Sequence, residues 1–376
     1  MSLRVEICAP DLALAAHWQE LVARAAPNVF MDPAALFAAD ALAFARVFVL
    51  LAWDDSIAPH RLVGLWAFQE MALRPLFWPG FLSAPPFEYG FVASPVIDPA
   101  FVGSVVPAFF AAIKQHPNLP KVVSLKYLDG SADSYPAILQ AAQGGRLLVM
   151  SERSRPSVTR EFGLKRSGST RKKLRQDWNR LAGLGTVDIV NDRSAESARE
   201  AFEIFLAMEA KSWKGQNGTA LLCDEEHAAF ARRLIGDLAA RGQASVALLR
   251  LDGQVIATQV LLYCGRMAYT WKTAFDAAYG KYSPGTLLVD RASELLLTEG
   301  EVEAIESCSP EGGFMTQLWD GRRTSVDLLI DVAAKSSLRF ALIAAAQRGY
   351  LKLRAVRDRL RTGAQTPHPK AAAATR

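Results

Sequence analysis

The chain has 376 residues, 51% of them apolar and 22% charged, with 43 Lys and Arg against 38 Asp and Glu. It reads as a soluble globular protein long enough for two hydrophobic cores. No apolar run reaches transmembrane length, and residues 47–53 read as a buried strand at most. The four cysteines (Cys8, Cys223, Cys264, Cys308) and five histidines (His17, His60, His116, His227, His368) show no metal-ligand spacing. Small buried hydrophobes in a reducing cytoplasm are expected of the cysteines, and no metal. The opening residues carry no signal-peptide pattern.

Residues 1–160 read as a first α/β unit. Residues 11–26 suit a helix with Leu12, Ala15, Leu21 and Val22 inward. Strands are expected at 47–53 and 62–69, joined by Asp54-Asp55-Ser56, with another around 88–92. The segment from Phe77 to Gly90 mixes Pro and Gly, which set turns, with aromatics that either plug a core or line a cleft. A helix at 101–114 and a buried strand at 121–127 follow. This half shows no phosphate-binding turn.

Residues 146–182 are strongly basic, with eleven Arg and Lys against Glu152, Glu161 and Asp177. Residues 167–170 can start a helix whose apolar face is Leu174, Trp178 and Leu181, stopped by Gly183 and Gly185. Positive charge in a first helical turn opposes the helix dipole by about 0.3–1 kcal/mol per charge. Arg171 and Arg175 are therefore candidate contacts for an anionic partner: a nucleotide sugar, the phosphate tail of an acyl donor, or nucleic acid. Only Trp178 interleaves with the charges and no nucleic-acid motif is present, which disfavours the last.

A second unit, 161–335, runs strand (187–190), long helix (194–211), polar loop (212–220), helix (224–241), then a hairpin turned at Asp252-Gly253. Residues 267–273 form the next strand. After it, Tyr282-Ser283-Pro284-Gly285-Thr286 breaks the strand, and Ser283 or Thr286 can cap the helix carrying Leu287, Leu288, Leu295 and Leu296. Strand, turn and helix N-terminus together suit a pyrophosphate. Residues 301–308 read as the following strand, and 319–329 as the segment closing this unit. From about residue 333 a basic helical tail follows, fit to cover the domain, lie on an anionic membrane or bind an anionic regulator. Residues 363–376 read as disordered.

The run Trp271-Lys272, Phe275-Asp276, Tyr279, Tyr282-Ser283-Pro284-Gly285 resembles the CelD/BcsL-type acetyltransferases of cellulose and exopolysaccharide biosynthesis. These are members of the GNAT superfamily, related to the FemAB peptidyltransferases. The likeness extends over about 166–331. It includes the Arg171-Lys172-Lys173-Leu174-Arg175 helix, the strand lead-in at 184–187, and Glu209 with Trp213-Lys214-Gly215. Asn28-Val29-Phe30, Pro33-Ala34 and Leu62-Val63-Gly64 also look familiar. The chain departs from the pattern at 315–319, where Met-Thr-Gln-Leu-Trp replaces a Tyr-Lys pair.

The resemblance implies two tandem GNAT-like α/β domains, each a mixed, mostly antiparallel sheet flanked by helices. The first would be a degenerate copy without a cofactor. It implies acetyl-CoA as donor, bound at Tyr282, Ser283, Pro284, Gly285, Thr286 and Leu287, and a sugar or nucleotide-sugar acceptor. Glu209 or Asp276 is the expected base. Lys272 either orients an acidic substrate or pairs with Asp276. Tyr279 and Tyr282 either supply a general acid or pack. Trp213 and Lys214 are candidate acceptor contacts, in a cleft between the two domains. A FemAB-like aminoacyl-tRNA-dependent transferase and a non-catalytic effector binding a nucleotide, a cyclic dinucleotide among them, are the other readings. The location expected is cytoplasmic, peripheral to the inner membrane face if the tail binds lipid.

Overall fold

The computed structural model describes residues 3–56, 59–71, 80–164, 166–309, 312–333 and 337–363. Residues 77–79 of the aromatic segment, Lys165, Lys335 and the tail end at 364–376 lie outside them.

The first half runs β1 (Leu3–Cys8), α1 (Ala15–Val22), α2 (Pro33–Ala41), β2 (Val47–Asp54), β3 (Arg61–Met71), β4 (Phe81–Ala84), β5 (Val96–Ile97), α3 (Val102–Gln115), β6 (Val122–Asp129), α4 (Ser134–Ala142) and β7 (Arg146–Thr159). The second runs α5 (Gly168–Ala182), β8 (Val187–Val190), α6 (Ala195–Lys211), α7 (Trp213–Gln216), α8 (Glu225–Ala239), β9 (Ala244–Leu251), β10 (Gln254–Cys264), β11 (Met267–Phe275), α9 (Pro284–Glu299), β12 (Ala304–Glu306), α10 (Met315–Leu318), β13 (Arg322–Asp331) and α11 (Leu338–Gly363). The strands join edge to edge in the order β1-β2-β3-β4-β6-β13-β7-β12-β11-β10-β9-β8, with β5 beside β3.

Local chemistry explains the second half. Asp252 and Gly253 take φ of +48° and +80°, the tight turn that joins β9 to β10. Asp224 starts α8 by accepting the amides of Glu226 (2.9 Å) and His227 (3.2 Å). Ser167 caps α5 through the amide of Thr170 at 3.1 Å. Leu181 of α5 is buried, and Leu174 and Trp178 pack beside it on the second core.

Three expectations change. The basic stretch 146–159, for which the sequence predicts no element, is a strand, β7. It pairs with β13 along its length and with β12 at its end, so it welds the two halves together. Its arginines are answered from within: Arg153 pairs with Asp327, and Arg155, 6% exposed, pairs with Glu306 at 3.1 Å. Arg166 likewise meets Asp290 at 2.5 Å. Second, 322–331 does not close the second unit. As β13 it inserts between β6 and β7 and pairs with both.

Third, 88–92 is no strand. Pro85 and Pro86 end β4, because they lack the N–H a ladder needs. The chain then leaves the sheet as an irregular segment, 85–95, and returns as β5 on β3. Gly90 is required there: a Cβ at that position would lie 2.4 Å from Cβ of Pro85. This segment crosses onto the second half. Trp271 Nε1 donates to the Tyr89 carbonyl at 3.0 Å, and Arg155 donates to the Phe91 carbonyl.

Candidate active site

Parallel strands β11 and β12 pair only from Met267↔Ala304 to Tyr269↔Glu306, and then part. Thr270 closes the fork: its hydroxyl donates to the Ser307 carbonyl at 2.8 Å. Beyond it opens a cavity of about 580 Å³. Its walls are Thr270 to Thr273 of β11, Ser307 to Ser309 after β12, Gly285 and Thr286 of α9, Met315 of α10, and the rings of Phe91, Trp213, Phe275 and Phe314. On the other side of β11 the register with β10 slips between Lys272 and Thr270, leaving Trp271 as the extra residue of a bulge. A bulge re-aims the side chains around it.

The turn ahead of α9 is strand, 3-10 turn, helix. Residues 277–282 wind a 3-10 turn capped by Asp276. Ser283 then takes φ +54° and ψ +47°, and Pro284 opens α9. Ser283 makes no capping hydrogen bond to α9. This corrects the expected cap. The amides of the first turn, with the positive end of the helix dipole, stay available beside the cavity. Gly285 sits at its wall: an added Cβ would lie 3.3 Å from Phe275 Cδ1 and 3.6 Å from Thr273 Cγ2. Tyr282 is buried below the turn, with the Arg180 guanidinium 5.3 Å from its ring centre. Leu287 is core.

The charged residues fall into three roles. Glu209 is fully buried at the end of α6. Its Oε1 accepts Lys214 Nζ at 2.9 Å and stands 3.9 Å from Lys272 Nζ; its Oε2 accepts the Leu221 amide at 3.0 Å. Both oxygens are engaged, so Glu209 organises the two lysines. Asp276 faces its own backbone: Oδ1 accepts the Ala278 amide at 2.9 Å, and the residue is not part of the cavity wall. Among the described residues it does not pair with Lys272, which stands by Glu209 instead. Tyr279 packs partly buried against the second core rather than entering the cavity.

Lys272 is different. It lines the cavity, its side chain is 12% exposed, and its Nζ lies 4.4 Å from the ring centre of Tyr89. Burial disfavours the ammonium and pulls its pKa from 10.5 down to about 8, with Lys214 adding to the fall and Glu209 and Glu88 opposing it. It is the group in this cavity poised to exchange a proton near neutral pH.

The segment 77–90, expected to plug a core or line a cleft, brings Tyr89 to the site; the sequence does not single out Tyr89 or its partner His227. Tyr89 stacks on Phe44, and its hydroxyl shares a 2.6 Å hydrogen bond with His227 Nδ1. Both halves therefore wall the region, as the 85–95 crossing requires. Trp213 stands 61% exposed at the rim. Arg171 and Arg175 are exposed on α5, away from the cavity wall, and form no ion pair among the described residues; α5 packs against α9 and the 3-10 turn before it.

A second cavity, of about 310 Å³, lies between β5, the turn before α3, the loop after β6, Met267 and Tyr269 of β11, and Arg323 of β13. Asp98 puts its own carboxylate on the Ala100 amide at 3.1 Å, and Asp129 and Asp133 line the cavity.

Residues 168–308 match the protein family described as an acetyltransferase (GNAT) domain. The second half carries a GNAT-type acetyltransferase domain. The whole fold is shared with FemX at 9% identity, over 86% of this chain and 96% of that one, with a TM-score of 0.57. It is shared with L-PGS from Bacillus licheniformis at 13% identity, over 90% and 97%, TM-score 0.52. A protein of unknown function from Bacteroides thetaiotaomicron aligns at 11% identity over 87% and 100%, TM-score 0.53. No curated protein sequence matches the chain.

Proposed function

We propose that the chain transfers an acyl group, acetyl in the first instance, from coenzyme A to an amino or hydroxyl group of a sugar used in exopolysaccharide synthesis, as in the CelD/BcsL-type enzymes. One observation carries the reading: the uncapped start of α9 and the low-pKa amine of Lys272 border the same cavity, at the fork of β11 and β12. The residues fit an acyl-CoA. Amides of the first turn of α9 suit a pyrophosphate, and Gly285 lacks the Cβ that would narrow the wall there. The donor supplies an activated carbonyl. The protein supplies placement and a proton acceptor.

Lys272, neutral in a substantial fraction at pH 8, takes a proton from the acceptor's amine or hydroxyl. Glu209 holds it in place, and the Tyr89 ring covers it from water. Holding donor and acceptor in one cleft is itself worth about 7–11 kcal/mol of barrier. Trp213, Phe275 and Phe314, each more than a third exposed, form an apolar rim against which the C–H face of a sugar ring can lie.

A second reading, aminoacyl transfer from tRNA, is favoured by the exposed Arg171, Lys172 and Arg175 beside α9 and by the fold shared with FemX. Incubation with labelled acetyl-CoA and a panel of amino sugars and nucleotide sugars separates the two. Acetylated sugar supports the first reading. Turnover only with aminoacyl-tRNA replaces it with the second.

A further inference from the structure

We infer that the outer face of α11 docks on an anionic lipid bilayer. Its inner face is fixed. Phe340, Ile343 and Ala344 are buried in a small core with Phe81, Val122 and Leu329. Gln347 donates to Ser124 Oγ at 3.3 Å, and the Arg146 guanidinium lies 4.7 Å from the Phe340 ring centre. The opposite face therefore points to solvent, and it is apolar. Leu338 is 77% exposed, Leu342 36% and Leu353 72%. Spacings of four and eleven residues place these leucines in one stripe. At about 100° per residue, exposed Arg339 falls on one side of the stripe, and exposed Arg348 and Lys352 on the other.

Leucines flanked on both sides by cations, with no acid between residues 338 and 353, match the acyl-chain and headgroup layers of an anionic membrane surface. Other occupants fit less well. A second copy would bring a like-charged face against this one. Residues 364–376 hold no acid to complement it. A nucleic acid would leave the leucines in water. Among the described residues no helix is long and apolar enough to cross a membrane, so α11 lies in the interface plane. The inference does not depend on which acyl group is transferred.

Flotation of the full chain with vesicles of equal parts phosphatidylcholine and phosphatidylglycerol tests it, with pure phosphatidylcholine as control. The chain should float with the anionic vesicles at low salt and release at high salt. Each basic residue near such a surface multiplies the partition by roughly fivefold. Leu342→Asp with Leu353→Asp, and separately Arg348→Glu with Lys352→Glu, should each cut the partition by about tenfold or more, with unchanged melting because these side chains face solvent. Absence of flotation, or equal flotation by both variants, overturns the inference. So does a lipid-free dimer that Leu342→Asp dissociates, which would make a second copy the occupant.

Discussion

Replacing Lys272 by Met removes a buried amine while keeping the length of its side chain. A pKa held at about 8 instead of 10.5 means that burial disfavours the folded ammonium by about 3 kcal/mol. Below pH 8 the folded and unfolded chains both carry the proton, and the full penalty is present. Between about 8 and 10.5 the unfolded chain binds the proton and the folded chain does not, so stability rises with pH. Lys272→Met should therefore be more stable than the parent at pH 6–7, by roughly 1–3 kcal/mol, the attraction to Glu209 being already part of that shift. The difference should vanish towards alkaline pH. Acyl transfer should fall by about 10²–10⁴-fold. In the parent, kcat/KM should climb with pH and level off above about 8; in the variant that limb should be absent. Lys272→Arg keeps the charge but gives up no proton in this range, so it should be as inactive as the Met variant. Denaturant melts across pH and a pH–rate profile read all three. Arginine rescuing the rate would make the role electrostatic, and a parent-like profile in the Met variant would refute the assignment.

Glu209→Gln should destabilise the fold by about 3–5 kcal/mol, because Lys214 and Lys272 lose their shared anion. It should also move the alkaline limb of the rate profile to lower pH, since Glu209 holds the Lys272 pKa up. Arg155→Met takes from Glu306 its nearer cation, leaving Arg323 at 3.8 Å, and frees the Phe91 carbonyl; a loss of about 3 kcal/mol in chemical denaturation is expected, with a raised KM for the acceptor. Asp276→Asn should leave the rate within about twofold, because an Asn side-chain oxygen caps the 3-10 turn as Asp276 does now.

The features legible in the sequence are those whose cause is local. Asp252-Gly253 announces a hairpin because φ is positive at both positions, and Asp224 announces α8 because its carboxylate meets amides two and three residues on. The turn at 282–286 is legible for the same reason, although the left-handed Ser283 makes no capping hydrogen bond. What stays hidden depends on partners far along the chain. Arg153 and Arg155 look like an invitation to an anion until Asp327 and Glu306 arrive from the other end of the sequence. The same distance hides the insertion of β13 into the first half and the seat of Tyr89 on His227. Asp276 and Glu209 are conspicuous in the sequence because both sit in polar, motif-like runs. One caps a turn and the other anchors lysines. In the function proposed above the proton chemistry falls to Lys272, whose pKa is lowered by burial that no local pattern reveals.

Titration calorimetry with acetyl-CoA on the parent chain and on Gly285→Val tests the donor site most directly. A Cβ at position 285 would press on Phe275 Cδ1 at 3.3 Å, and a valine would carry two further methyls into the cavity wall beside the start of α9. Phe275 is 38% exposed and free to shift, so the fold should hold, with melting close to that of the parent. The parent should bind acetyl-CoA at a single site, and the valine variant should bind about tenfold or more weakly, a loss of about 1.4 kcal/mol or greater. Undiminished affinity in a folded Gly285→Val protein, or no heat with the parent, would contradict the placement of the donor at the fork of β11 and β12.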